Sequence, residues 1–328
     1  MRLSILIPTY NRCQDLLRNL QLLEQFIIKS KLTEQVNVVV SNNASTDDTS
    51  RVIQDFQKRS KIEVVFLNDQ EKNIGLEANA LYILRKAISD YVMYLGDDDY
   101  LEEDFISRVI QQLNEHPSLG CIIPNDYWCL PDGTIIGERE RCQPKYMDAG
   151  FNACFENAHR GHQLSGLVLK RVGLYDAYIK HGVHNIYPFI FFVAYTALHY
   201  DVLHMADTHV HVTQVPQTKK DWGYGDDGLV KDIFDNFKHL GVTYKQRALL
   251  ESHFLKVDPR YYWATKDTNL CIEKILMGKN TSHLGRYYIA HQILREGAYT
   301  GKKMRLRFYI LARIILLKKL ILGRPIQL

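Results

Sequence analysis

The sequence lacks any apolar run long enough to cross a membrane. Hydrophobic residues make up 46% of its 328 positions, but none of their runs approaches the about 20 consecutive residues that a spanning helix requires. The first run, residues 3–7, is stopped at once by Pro8, so it is too short for the apolar part of an export signal. We therefore expect neither an integral membrane protein nor an export signal.

The cysteines form no CxxC pair and show no spacing typical of zinc ligands. There are six of them: Cys13, Cys121, Cys129, Cys142, Cys154 and Cys271. This scatter does not indicate a zinc site. Reduced thiols in a cytoplasmic protein fit the pattern best.

Acidic residues are absent from the last part of the chain. After Glu296 every charged residue is basic, although the whole chain has a formal charge of only +4. Segment 302–328 carries eight Lys and Arg residues among many Leu and Ile residues, a composition typical of a helix that lies on an anionic membrane surface. A helix packed on the protein with a basic outer face is the alternative. Nucleic-acid binding is not expected, because no RNA-binding motif accompanies the basic residues.

The first part of the chain alternates strand and helix patterns. Buried-strand runs lie at 3–7, 36–40, 63–67 and 91–95, and helical spacing lies between them at 16–27, 48–58 and 75–88. This alternation favours an α/β fold, with a mostly parallel sheet and helices on both faces. Further strands are predicted at 121–125, 166–170 and 209–212, a buried helix at 187–198, and a helical, basic extension beyond residue 217.

Polar clusters follow three of these strands directly. They are residues 9–12, 42–47 and 97–99. The carboxyl ends of parallel strands meet at one edge, where such sheets bind ligands. The three clusters are therefore expected to form one site.

Three consecutive carboxylates, Asp97, Asp98 and Asp99, stand in the last cluster. Like charges this close repel unless a cation lies among them. A hard divalent cation with oxygen ligands, Mn²⁺ or Mg²⁺, meets that need and neutralises charge on a leaving diphosphate. A solvated acidic turn that begins a helix is the alternative.

Four motifs in this order resemble those of family 2 glycosyltransferases, which have the GT-A fold. They are Leu3–Arg12 (LSILIPTYNR), Val40–Thr49 (VSNNASTDDT), Asn73–Gly75 with Asn79, and Tyr94–Tyr100 (YLGDDDY). The last is similar to the form in abequosyltransferases and other surface-polysaccharide transferases. The resemblance covers residues 1–115. It implies a metal-dependent, inverting enzyme that moves a sugar from a nucleotide diphosphate to a glycan acceptor in bacterial surface polysaccharide synthesis.

The resemblance also implies roles for individual residues. Asp97, Asp98 and Asp99 would form the DXD-type metal site, with Asp97 also facing the ribose or sugar. The donor-binding residues would be Pro8, Thr9, Tyr10, Arg12, Asn42, Asn43, Asn73, Asn79 and Asp97. Asn42 stands where relatives often carry an aspartate that reads uracil, and an amide can donate as well as accept. A UDP-sugar is still the first expectation from the resemblance, but the asparagine weakens that assignment and leaves a CDP- or dTDP-sugar open.

The general base is sought in the second half of the domain. Relatives carry a Gly-Xaa-Asp segment and then a Glu-Asp pair that opens a helix. Here Gly173 to Asp176 is similar to the first part, and His184-Asn185 stands near the place of the acidic pair. His184 is the first candidate, because an imidazole titrates near neutral pH, and Asp176 is the second.

The expected organisation is a GT-A catalytic domain over 1–215, with a donor half (1–125) and an acceptor half (126–215). A helical region (216–328) follows, and its segment 302–328 would associate with the inner face of the cytoplasmic membrane, which suits a polyprenyl-linked acceptor. Two alternatives remain. The missing Glu-Asp pair suits a catalytically weakened partner protein of this fold. A nucleotidyltransferase would need a Gly-rich loop after the first strand, which residues 8–11 do not supply.

Overall fold

The structure is a computed structural model that describes residues 2–138, 143–180, 182, 185–214, 230–257, 276, 280–295 and 306–322. The first elements are β1 (Leu3–Thr9), α1 (Cys13–Lys29), β2 (Val36–Asn42), α2 (Thr49–Arg59), β3 (Val64–Leu67), α3 (Leu76–Lys86), β4 (Tyr91–Tyr94), β5 (Tyr100–Leu101), α4 (Phe105–Glu115) and β6 (Leu119–Cys129). The strands and helices predicted up to residue 95 are all present.

The second half begins with antiparallel strands and ends in helices. Its elements are β7 (Ile135–Glu138), β8 (Lys145–Met147), α5 (Phe151–Asn157), a 3₁₀ turn (Ala158–His162), β9 (Val168–Lys170), α6 (Leu174–Ile179), α7 (Pro188–His199), β10 (Asp201–Thr213), α8 (Val230–Lys238), α9 (Tyr244–Val257), α10 (His283–Arg295) and α11 (Leu306–Leu322). The strands predicted at 121–125, 166–170 and 209–212 and the buried helix at 187–198 are confirmed.

One mixed sheet joins the two halves in the order β3-β2-β1-β4-β9-β6-β10-β5, with β7 beside β6 and β8 beside β10. Strands β1 to β4 are parallel, as predicted. The sheet as a whole is less parallel than predicted, because β9 enters between β4 and β6 and runs antiparallel to both. Because β4 and β6 are both antiparallel to β9, they run parallel to each other. Both strands therefore point to the same edge of the sheet.

Both faces of the sheet are covered by helices. On β1, Leu6 packs with residues of α3 and α7, whereas Ile5 and Ile7 pack with residues of α1, α2 and α4 on the other face. Every residue of β1 and β2 is buried, which is typical of strands covered on both sides. The predicted arrangement of helices on both faces is confirmed.

Helices α8 to α10 and the inner side of α11 pack into the same core as α3 and α7. Phe234, Phe254, Ile289 and Ala312 are among their buried contributors. None of the helices in the described ranges combines the length and apolar content of a transmembrane segment. The predicted boundary near residue 215 lies beside residues 215–229, outside the described part, and stays a prediction.

Candidate active site

The carboxyl ends of β1 and β4 bring two of the predicted clusters into contact. The strands pair in register up to Leu6 and Tyr94, so the residues that follow them leave the sheet side by side. Thr9 Oγ1 donates a hydrogen bond of 2.7 Å to Asp97 Oδ2, and both residues are buried. The hydroxyl therefore fixes the orientation of the Asp97 carboxylate.

Arg12 supplies the positive charge beside the carboxylates. Its guanidinium forms an ion pair with Asp98 and lies 3.8 Å from Asp97 Oδ1, measured from Nε. Burial alone would lower the pKa of Arg12, but Asp97 and Asp98 outweigh it and raise this pKa. Arg12 therefore keeps its positive charge beside Asp97 and Asp98.

Burial is the main influence on the pKa values of Asp97 and Asp99, the first and last residues of the carboxylate run. It raises the pKa of Asp97 to about 7, with the charge of Asp98 adding to the effect and Arg12 and Thr9 opposing it. Burial and Asp98 likewise raise the pKa of Asp99 to about 7. Such buried carboxylates favour a proton or a bound cation near neutral pH.

Asp99 differs from its neighbours because its oxygens are engaged by protein donors. Ser165 Oγ donates to Oδ2 at 2.5 Å and Gln163 Nε2 at 3.4 Å. The backbone N–H of Thr213 donates to Oδ1 at 2.8 Å. Asp99 therefore ties the carboxylate run to the segment before β9 and to the end of β10.

That Asp97, Asp98 and Asp99 all hold one metal stays a prediction, although Asp99 differs from the other two. Among the described residues, no three His, Cys, Asp or Glu side chains converge as a metal site, because Asp99 turns toward Ser165 and Thr213. Asp97 and Asp98 still fit a divalent cation, since they already share a cationic partner in Arg12. Mg²⁺ commonly uses one or two carboxylates together with substrate phosphates.

The predicted asparagines form a network that shapes the neighbouring loops. Asn42 donates to Ser50 Oγ at 2.8 Å and to Asn68 Oδ1 at 2.7 Å. Asn43 donates to Asn73 Oδ1 at 2.9 Å and accepts from the backbone N–H of Ile74 at 2.8 Å. These bonds hold together the loops after β2 and β3.

Asn73 and Asn79 belong to the same hydrogen-bond network. The Asn73 side chain also accepts from the backbone N–H of Gly75 at 2.9 Å, which is an Asx turn before α3. Buried Asn79 accepts from Ser41 Oγ at 2.6 Å and donates to the Ser41 carbonyl at 3.2 Å. Direct contact of Asn42, Asn43, Asn73 or Asn79 with a donor stays a prediction.

The loop after β1 carries the other predicted donor-binding residues. Pro8 is buried and Tyr10 is half-buried. Asn11, which has a positive φ of 53°, accepts from the backbone N–H of Thr46 at 2.7 Å and is bonded through its own N–H to Ser45 Oγ. The loops after β1 and β2 therefore meet, as predicted.

The two predicted bases are not brought to this edge together. Strand β9 pairs Lys170 with Tyr91, the first residue of β4, so the chain leaves β9 at the opposite edge before α6. Asp176 lies in the first turn of α6 and is exposed, a position that does not favour a role beside Asp97. His184 lies outside the described residues, and its role stays a prediction.

A polar cleft that the sequence patterns did not single out lies beside the middle of β6. Its lining residues are Ile123, Pro124, Asn125, Asp126, Arg160, Gln163, Ser165 and Leu167. Gln163 and Ser165 connect it directly to Asp99. A signal was present, because Asn125 ends the predicted strand 121–125 and Asp126 follows it directly, as the other polar clusters follow theirs.

His209 and His211 lie on one face of β10, close to this edge. His209 stacks on Tyr127 with ring centroids 3.9 Å apart and lies 3.3 Å from Glu138 Oε1. Burial lowers the pKa of His211, although Glu102 opposes the effect. Within the described part of the chain these groups do not form a metal cluster, so they act as a packed aromatic and ionic face.

Comparison with known proteins identifies what the chain is similar to. Residues 4–159 match the family model described as Glycosyl transferase family 2. A GalNAc(5)-diNAcBac-PP-undecaprenol beta-1,3-glucosyltransferase of Campylobacter jejuni is 32% identical over 131 residues, which are 38% of this chain and 40% of that protein. Abequosyltransferase RfbV of Salmonella typhimurium is 30% identical over 107 residues, 33% of this chain and 31% of its own. The chain thus spans well under half the length of these relatives.

Solved structures extend the likeness to the whole chain. The crystal structure of Staphylococcus aureus TarS 1–349 in complex with UDP-GlcNAc superposes with a TM-score of 0.65 at 12% identity and covers 100% of this chain and 93% of its own. Mannosyltransferase PcManGT from Pyrobaculum calidifontis, in complex with GDP-Man and Mn²⁺, gives a TM-score of 0.53 at 14% identity and covers 97% and 87%. At such identities the likeness shows the fold, and the fold is the predicted one.

Proposed function

Because residues 4–159 form a glycosyl transferase family 2 domain on a GT-A fold, we propose that the chain transfers a sugar, with inversion, from a nucleotide diphosphate to a glycan acceptor of a bacterial surface polysaccharide. The observation that carries this proposal is the contact of Thr9 and Arg12 with Asp97 and Asp98 at one edge of the sheet. That edge combines two carboxylates with a cation, as a diphosphate site requires.

Each residue of this edge has a distinct task in the proposal. Thr9 holds Asp97 in place, and the Arg12 guanidinium turns from Asp98 toward the diphosphate, for which its planar donors are suited. Asp97 and Asp98 would hold a divalent cation, Mn²⁺ or Mg²⁺, which would supply positive charge to neutralise the leaving diphosphate. Asp99 fixes the segment before β9 and the end of β10 around them.

We propose a UDP-sugar as the first donor to test and a CDP- or dTDP-sugar as the next. TarS was crystallised with UDP-GlcNAc, which supports the first choice. Asn42 already donates to Ser50 and Asn68, and Asn43 already donates to Asn73 and accepts from Ile74. We therefore assign both asparagines to loop shaping and leave base contact to Tyr10.

A screen of donors tests the proposed activity. The purified chain is incubated with UDP-GlcNAc, UDP-glucose, CDP-abequose, dTDP-rhamnose or GDP-mannose and Mn²⁺, with and without EDTA, and release of the nucleotide is followed by chromatography. We expect metal-dependent turnover of one donor class. No turnover with any donor, despite binding of the nucleotide, would instead favour a non-catalytic partner protein.

We also propose that the acceptor is lipid-linked and that the chain works at the inner face of the cytoplasmic membrane. The C. jejuni relative's name includes an undecaprenol-linked glycan. Helix α11 exposes a stripe of apolar residues, Leu306, Ile310, Ile314 and Leu317, while Ala312 on its other side is buried in the core. Exposed Arg313 and Lys318 flank the stripe, so the helix can pack on the protein and face an anionic surface at once.

Liposome flotation tests the membrane proposal. Ile310→Asp with Ile314→Asp should release the protein from vesicles containing anionic lipid, because the charges oppose burial in the interface. Ile88→Asp serves as the control, since Ile88 lies between α3 and β4 and is even more exposed than Ile310 and Ile314. Undiminished flotation of the double variant would refute a membrane role for this stripe.

A further inference from the structure

The polar cleft beside the middle of β6 has a lining suited to a carbohydrate. Planar polar side chains, Asn125, Asp126, Arg160 and Gln163, line it. Such groups form the directed hydrogen bonds that sugar hydroxyls require. The cleft does not include Thr9 or Asp97. Asn125, Asp126 and Arg160 have no task in the proposed binding of the donor diphosphate.

Its place relative to the carboxylate run is fixed by two cleft residues. Ser165 Oγ donates to Asp99 Oδ2 at 2.5 Å and accepts from the backbone N–H of Gly96 at 2.9 Å. Gln163 reaches the same carboxylate at 3.4 Å. The cleft therefore lies directly beside the carboxylate run of the proposed donor site.

Asp126 is the acidic residue among those that line this cleft. It is only 6% exposed, and its Oδ2 accepts a hydrogen bond of 3.2 Å from Trp128 Nε1. The two residues stand two positions apart on β6, so they share one face of the strand. The indole thereby orients the carboxylate.

Trp128 is suited to hold a sugar as well as to orient Asp126. Trp128 is 42% exposed although it belongs to a strand of the central sheet. The ring lies against Gly137 of β7, where an added Cβ would be 3.1 Å from Trp128 Cε3. The absence of a side chain at Gly137 lets the ring lie close to the hairpin, and a partly exposed indole combines an apolar ring with a polar N–H.

We propose that Asp126 accepts the proton of the attacking acceptor hydroxyl and that Trp128 positions Asp126 and stacks on the acceptor sugar. This inference rests on the proposed glycosyl transfer. The acceptor oxygen forms a bond to the anomeric carbon of the donor while its proton passes to the Asp126 carboxylate. The bond between that carbon and the diphosphate oxygen breaks, and its electron pair leaves with the diphosphate.

The location favours Asp126 over Asp176. Strand β6 delivers Asp126 to the same edge as Asp97, whereas α6, with Asp176, follows the end of β9 at the other edge. The cleft also adjoins the start of α7, since Gly161 of the 3₁₀ turn packs on the backbone of Phe189. In the resembling family the acidic pair opens the helix that corresponds to α7. In this chain Asp126, on β6, would supply a carboxylate near the start of α7 from the side of the sheet.

The test compares Asp126→Asn with the unsubstituted protein in two assays. Calorimetry measures the binding of UDP with Mn²⁺, and a transfer assay measures kcat with the donor found active in the screen and phenyl glycosides as acceptors. We expect kcat to fall by about two to four orders of magnitude, with an unchanged Kd for UDP. A kcat within about threefold of the unsubstituted protein, well below the effect of a general base, would overturn the proposal.

Two further variants keep the test decisive. Asp132→Asn removes a carboxylate from the exposed turn of the same hairpin and should leave kcat unchanged. Trp128→Phe keeps a ring but removes the N–H donor, so kcat should fall while the Kd for UDP stays constant; if Asp126→Asn fails to fold, an unchanged kcat here refutes the proposal. An unsubstituted protein that neither binds nor turns over any nucleotide sugar would overturn the proposed function itself.

Discussion

Replacement of Asp99 by Asn should stabilise the protein at alkaline pH. Asp99 is buried, and burial together with Asp98 raises its pKa from the ordinary value of 3.8 to about 7. Between these values the folded state keeps the proton on Asp99 while the unfolded state has lost it. The free energy of unfolding therefore falls as pH rises from about 4 to 7 and then stays level.

The size of the effect follows from the shift. Each pKa unit corresponds to 1.36 kcal/mol, so ionisation of Asp99 costs on the order of 2–3 kcal/mol between pH 5 and pH 8. An asparagine avoids this cost and can still accept from Thr213, as Asp99 does at 2.8 Å. Ser165, which now donates to Asp99, can accept from the new amide instead.

Urea unfolding at pH 5 and at pH 8, in EDTA, measures the difference between Asp99→Asn and the unsubstituted protein. The free energy of unfolding of the variant, relative to that of the unsubstituted protein, should be about 2–3 kcal/mol higher at pH 8 than at pH 5. Asp55→Asn is the control, because Asp55 lies on the exposed side of α2 and should show no such gain. An equal difference at both pH values would refute the assignment of Asp99 as a carboxyl that burial protonates.

Three other substitutions test close packing and buried polar contacts elsewhere in the described part of the chain. Gly161→Ala should lower the free energy of unfolding by about 1–3 kcal/mol, because its Cβ would lie 2.4 Å from the Phe189 carbonyl oxygen; a neutral result in urea unfolding would contradict that contact. Asn79→Ala should cost about 1–3 kcal/mol by removing both bonds to Ser41, and a calorimetric Kd for UDP should rise with it. Glu251→Gln should cost about 3 kcal/mol, since buried Glu251 pairs with Arg247 at 2.7 Å and accepts from Ser282; thermal unfolding that matches the parent would exclude this pair as a support of α9.

The donor edge was predictable because it depends on local patterns. Short apolar runs ending in polar residues placed Thr9, Asn43 and Asp97 after neighbouring strands, and parallel strands end at one edge. The structure confirms the contact between Thr9 and Asp97. The sequence could not predict that Asp99 turns away, because its partners Ser165 and Thr213 lie 66 and 114 positions along the chain.

The second half was harder to predict because its pairing is non-local. Strand β9 has only three residues and inserts between β4 and β6, a position that no periodicity encodes. This insertion decides that Asp126 reaches the donor edge and that Asp176 does not. The sequence likewise does not distinguish Trp128 from an ordinary strand residue, and its role follows only from its hydrogen bond to Asp126.

Calorimetric titration with UDP, in Mn²⁺ and in EDTA, tests most directly whether Asp97 and Asp98 form a metal-assisted diphosphate site. The unsubstituted protein should bind UDP more tightly in Mn²⁺ than in EDTA. Asp98→Ala, which leaves the Thr9–Asp97 bond in place, should bind equally weakly in both. Equal affinity of the unsubstituted protein in the two buffers, or a full Mn²⁺ effect in Asp98→Ala, would contradict the account.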